Sequence, residues 1–258
     1  MQPYYGDEPH IIQKRPKKRR VYGKKRRGTL RIFLIFAFCA ILPIAAVCAF
    51  MPKIAQPTTK TYRSKAYALY FLITGSYDAI ADANLAAAVV RERGGAGYII
   101  NDGSFKIVAA VYKTKKTAEA VAAKQKIDAT VYELTVKEAP LGSDKDAAKR
   151  LMTALNACDS AYADITAVTE DCETGNATES ALSLAVTNAA NELKDAAGGI
   201  SDIEASSPII EYLEASADGL AGTVTDESQT LTVRVRYALC SLMYERYLLS
   251  SKLAKTNQ

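Results

Sequence analysis

GYIINDGSFKIVAAVY, residues 97–112, contains two short runs rich in Ile, Val, Phe and Tyr on either side of Asp102-Gly103. Both turn positions accept a positive φ, so the stretch predicts a β-hairpin with a two-residue turn. Working outward, DAIADANLAAAVVRERGGAGY (78–98) predicts a helix capped by Asp78 or Asp82 and ended by Gly94-Gly95. Its apolar face is Ile80, Ala83, Leu85, Ala87 and Val90. Before it, AYALYFLIT (66–74) reads as a strand. After the hairpin, Thr114 caps a second helix, TKKTAEAVAAKQKI, and ATVYELTV (129–136) is a last strand. The order is β-α-β-β-α-β.

An internal repeat supports that order. A shift of 35 places Tyr70, Leu72, Thr74 and Tyr77 on Phe105, Ile107, Ala109 and Tyr112. Two such halves cannot each bury a core, so they pair into a four-stranded antiparallel sheet with two helices on one face. Strand alternation assigns Tyr70, Leu72, Phe105 and Ile107 to the helix side. Phe71, Ile73, Lys106, Val108 and Ala110 then face away, and that outer face is unusually apolar for a surface in water.

Residues from about 66 to 137, within a domain expected over 66–138, resemble the SPOR (sporulation-related repeat) domain family of bacterial cell-envelope proteins. The matches are Thr74-Gly75-Ser76-Tyr77, Ala83-Asn84-Leu85, the strand Phe105 to Tyr112, and Ala118-Glu119-Ala120. The resemblance implies a fold of this strand and helix order, often behind a single membrane anchor. It also implies binding to peptidoglycan, notably glycan strands stripped of stem peptides, at division or sporulation septa. On the glycan reading, Phe71 and Tyr132 stack on sugar rings, Lys106 and Asn101 supply polar contacts, and Ile73 and Val108 complete the face. Yet Ile73 stands where the family usually has Gln, Val108 where it has Arg, and Ala110 where it has Gly. On the other reading, the bundle or a partner protein covers this face.

Beyond Pro140-Leu141-Gly142 the pattern becomes helical. Leu151, Leu155, Cys158, Tyr162, Ile165 and Val168 follow helical spacing behind a Ser143 or Asp144 cap. Gly175-Asn176 breaks that helix, and Leu182, Val186, Ala189 and Leu193 mark the next, ended by Gly198-Gly199. Ser206 or Ser207 caps a third before Pro208. Residues from about 225 to 255 form a last helix, although Thr230 to Val235 alternates like a strand. Residues 143–255 therefore predict a three- or four-helix bundle. Between 60 and 140 there are twelve basic and eight acidic residues, net +4, while 141–258 has nine and eighteen, net −9. Opposite charge and an apolar sheet face together predict that the bundle docks near Phe71, Ile73 and Val108.

Ile32 to Met51 is a run of twenty uncharged residues, long enough at about 1.5 Å per residue to span a bilayer. The tail before it (1–31) carries eleven Lys or Arg against Asp7 and Glu8, which predicts a disordered cytoplasmic tail and an outward C-terminus. The span already explains this charge, so no nucleic-acid partner is expected. A tail of this length before so long a run favours an uncleaved anchor over a signal peptide. Residues 52–65 read as an extended linker.

The expected architecture is α+β: a plasma-membrane helix, a linker, the SPOR-like sheet and the helical bundle. His10 is the sole histidine, and no nucleophile–base pair or metal-ligand spacing occurs, so neither an enzyme nor a cofactor is expected. Glu170, Asp171 and Glu173 lack the order of a calcium loop. Cys158, Cys172 and Cys240 read as buried thiols. The function expected is a membrane-anchored envelope protein of division or sporulation that binds peptidoglycan. The alternative is a tethered scaffold whose bundle binds another such protein.

Overall fold

The computed structural model describes residues 60–125 and 128–255. The basic tail, the apolar run and the linker up to residue 59 lie outside the described residues. Among the described residues, no helix is long and apolar enough to cross a membrane.

Among the described residues the fold is α+β, with a four-stranded antiparallel sheet and six α-helices. The first part follows the expected order: β1 (Tyr67–Tyr77), α1 (Ile80–Glu92), β2 (Tyr98–Asn101), β3 (Phe105–Tyr112), α2 (Lys115–Gln125) and β4 (Thr130–Val136). The sheet order is β2-β3-β1-β4, with every neighbouring pair antiparallel. Leu72 and Ala109 pack with Ala118 of α2, and Ile107 packs with Ala83 and Ala87 of α1. Leu69, Phe71, Ile73 and Val108 belong to the opposite face. Thr114 caps α2 as expected, its hydroxyl accepting from the Thr117 amide at 3.1 Å.

Several local expectations are corrected. The hairpin loop holds three residues rather than two, because Asn101 pairs with Phe105, and Gly103 within it takes a positive φ of 104°. In β3 the register skips Ala109, since Leu72 pairs with Ala110 and Ile73 with Val108. This bulge reverses the alternation beyond it. Val111, not Ala110, therefore joins the outer-face core. Neither Asp78 nor Asp82 caps α1; Ala79 occupies that position without a side-chain hydrogen bond. Ile80 and Leu85 are exposed, because α1 meets the sheet through Ala83, Ala87 and Val90 instead.

The second part is four helices: α3 (Lys145–Thr174), α4 (Glu179–Gly198), α5 (Ser207–Thr225) and α6 (Leu231–Lys255), with a 3-10 turn at Glu204–Ser206. Asp144 caps α3 by accepting from the Ala147 amide at 2.7 Å, and Gly175 ends that helix at φ 77°. Thr178 caps α4. Ser206 holds the cap position of α5 but makes no capping bond, its hydroxyl donating to the Ile203 carbonyl instead.

Thr230 to Val235 is not a strand. Leu231 begins α6, and Leu231, Val233 and Val235 are all buried. The physical reason is two-sided burial: α6 lies between the sheet and the other helices, so its apolar residues follow no single stripe. One buried cluster runs from Leu69, Phe71 and Val108 through α6 into Leu155, Ile165, Leu193 and Leu213. Segments 66–138 and 143–255 share this core.

The end of the expected linker is fixed in place. Tyr62 and Ser64 exchange backbone hydrogen bonds of 2.8–2.9 Å with Ala139, Leu141 and Gly142. The Ala139 amide also donates to the buried Ser64 hydroxyl at 2.8 Å. The strand that enters the sheet is thereby clasped to the chain that leaves it.

Candidate functional site

The residues proposed for glycan contact separate into two groups. Phe71 and Val108 are wholly buried, and Ile73 is 6 % exposed. Helix α6 covers them. Phe71 meets Tyr244 edge to face with ring centroids 6.4 Å apart, and Tyr98 meets Tyr237 at 5.1 Å. The Tyr162 hydroxyl donates to the Val111 carbonyl at 2.6 Å, and the Ser250 hydroxyl accepts from the Lys137 amide at 3.0 Å. An ion pair of 2.8 Å joins Lys113, just after β3, to Asp159 of α3. The expected docking of the bundle on this face is present, and it excludes Phe71, Ile73 and Val108 from contact with any ligand.

Asn101, Lys106 and Tyr132 remain accessible at one end of the sheet. There the Asp102 carboxylate accepts from both Lys106 and the Tyr132 hydroxyl. The Lys106 ammonium lies 5.3 Å from the centre of the Tyr132 ring. Partial burial pushes the Asp102 carboxyl up, but the hydrogen bonds from Lys106 and Tyr132 outweigh it and hold the group below its usual range. The same bond to Asp102, helped by burial, pushes Tyr132 up to about 12. The rim thus offers one cation, an aromatic face and the exposed Asn101 amide, with Asp102 fixing the first two.

The helices present a feature that spacing alone did not reveal. A groove of about 650 Å³ runs between α5 and α6. Tyr212, Leu242 and Leu249 form its apolar floor, Ala215 and Gly219 line the α5 wall, and Tyr237 and Leu248 stand exposed on α6. In sequence these α5 residues look like an ordinary helix rich in small side chains. A second cleft, of about 920 Å³, opens on the other side of the sheet between Val89 and Val121, with Tyr77, Tyr112 and Arg93 at its rim.

Among the described residues, no group of His, Cys, Asp or Glu side chains is arranged to hold a metal ion. Glu173 instead pairs with Arg236, whose guanidinium also donates to the Gly94 carbonyl. Cys158 and Cys240 are buried, and burial pushes both thiols up, Cys158 to about 11, so they are inert at neutral pH. Cys172 is half-buried, and its thiol donates to the Thr178 carbonyl.

The chain matches no family model, no curated protein and no solved structure. The likeness to SPOR domains accordingly rests on the sequence motifs of residues from about 66 to 137.

Proposed function

We propose that this chain is a single-pass protein of a bacterial plasma membrane whose outer body is a non-enzymatic interaction scaffold for division or sporulation. In this reading the basic tail is cytoplasmic, residues 32–51 are the anchor, and the SPOR-like sheet serves as a platform for α6 rather than as a glycan surface. The supporting observation is the cover over Phe71, Ile73 and Val108. A sugar stacking on this face would have to displace a helix packed by aromatic and aliphatic side chains. That exchange is unfavourable for a shallow, polar ligand.

A second reading keeps peptidoglycan as the ligand and moves it to the exposed rim of Asn101, Lys106 and Tyr132. One experiment separates the two. The full chain in mild detergent is incubated with amidase-treated sacculi and pelleted. The scaffold reading expects no more retention than with a detergent-only membrane protein control. Retention that disappears in the Lys106→Ala, Tyr132→Ala double variant would overturn it in favour of rim binding.

A further inference from the structure

We propose that the groove between α5 and α6 docks a basic amphipathic helix of a partner protein. The proposal rests on the scaffold reading and gives it a surface and a class of partner. Shape is the first ground. On α6 the lining positions Tyr237, Ser241, Glu245, Leu248 and Lys252 recur at helical spacing over sixteen residues, about four turns or 22 Å. On α5, Glu211, Ala215, Gly219 and Thr223 recur every fourth residue. Two such stripes above an apolar floor form a trough that matches one face of a third helix. Tyr237 at 44 % and Leu248 at 39 % exposure are large apolar side chains left on its walls.

Glycine is the second ground. Gly219 and Gly222 lie inside α5, where glycine is unfavourable relative to alanine. A Cβ added at either would meet nothing within 4 Å, so the chain's own packing does not require them. Close approach of a backbone from outside does require a small residue, and Gly219 lies in the groove itself.

Charge selects the partner's sign. Helix α5 carries Glu211, Glu214 and Asp218 and no Lys or Arg. Asp218 is paired with Lys194 of α4 at 3.0 Å. The groove-lining Glu211 and Glu245 are in none of the ion pairs among the described residues, and they outnumber Lys252, the one cation of the lining. A Lys or Arg beside the apolar face of a docked helix would complement them, whereas an acidic helix would be repelled.

The test uses the full chain in zwitterionic nanodiscs and two idealised helical peptides with the same Leu face, one with Lys and one with Glu on the polar face. The Lys peptide is expected to bind saturably, at least tenfold tighter than the Glu peptide, and not to empty discs. Gly219→Leu should abolish that binding, and Glu211→Gln with Glu245→Gln should weaken it about fivefold or more. Gly219→Ala should raise the melting temperature while weakening binding, opposite signs that a purely structural glycine would not give. Equal binding of both peptides, or binding indifferent to Gly219→Leu, would overturn the proposal. Self-association lost in Gly219→Leu without peptide binding would overturn it too, by assigning the groove to a second copy. Failure here with no sacculus retention removes the groove alone; retention through the rim removes the scaffold reading.

Discussion

Truncating Phe71 to alanine tests the central structural claim, that α6 seals the outer sheet face. Phe71 is wholly buried and abuts Tyr244 edge to face at 6.4 Å. Removing a buried phenyl ring loses its transfer free energy and leaves a cavity, together about 3–5 kcal/mol. In a body of this size each kcal/mol moves the melting temperature about 2–4 °C, so a shift of about 8–16 °C is expected for about 4 kcal/mol. The chain has no tryptophan, so unfolding of the full chain in mild detergent would be followed by tyrosine near-ultraviolet circular dichroism. Leu85→Ala, at a residue 71 % exposed, is the control and should stay within about 0.5 kcal/mol. A double-mutant cycle with Tyr244→Ala should return a coupling of about 0.5–1.5 kcal/mol. A cost for Phe71→Ala below about 1 kcal/mol with no coupling to Tyr244 would refute the sealed face. An open glycan face would give that result, with folding nearly unchanged and sacculus binding lost.

Two further predictions concern charged groups. Arg246 is 2 % exposed, and among the described residues its Nε and Nη1 are buried without a hydrogen-bond partner; a buried cation with unsatisfied donors is costly, so Arg246→Met should stabilise the fold by about 1–3 kcal/mol in urea unfolding, and a loss of stability would contradict the reasoning. The Asp102 carboxyl is held below its usual range, so its contribution is present above the unfolded value of about 4 and is lost as pH falls through the lower folded value; the stability difference between wild type and Asp102→Asn, small because the site is solvent-screened, should shrink as pH falls below about 4, and a difference that grows on acidification would be inconsistent with this sign.

The sheet was legible because its signals are local. Alternation in 66–74 and 104–112 and the glycine after Asp102 act within a few residues, and they gave the correct order of strands and helices. The bulge at Ala109 was not legible, since neighbouring alanines at 109 and 110 suit either face equally. The start of helix α6 was ambiguous for a different reason. A helix buried on two sides must be apolar at positions two apart, and Leu231, Val233 and Val235 then imitate a strand. For the candidate site, the excess apolarity of Phe71, Ile73 and Val108 correctly signalled a need for cover. The groove between α5 and α6 left no such mark, because small exposed residues such as Ala215 and Gly219 gain meaning only beside the Tyr237 and Leu248 of another helix.

The composition of the outer sheet face and the presence of α6 are two aspects of one physical requirement. Buried Gln or Arg at positions 73 and 108, where the resembled family carries them, would need partners that α6 does not offer, and an unpaired polar group in that interface would cost several kcal/mol. Conversely, Ile73 and Val108 left open to water would make a sticky sheet face, which invites association with other chains. Either change alone is unfavourable, so an apolar face and a covering helix stabilise each other. The clasp between Tyr62–Ser64 and Ala139–Gly142 fits the same logic, since it holds the entry to β1 beside the connection that leads into the helices. With this sheet face holding α6, a ligand would have to meet surfaces that α6 leaves open. Two of those are the polar rim around Asp102 and the groove that α6 builds with α5. Of the two, only the groove has large apolar side chains exposed on its walls and carboxylates outside the ion pairs among the described residues, which is why we propose partner recognition there.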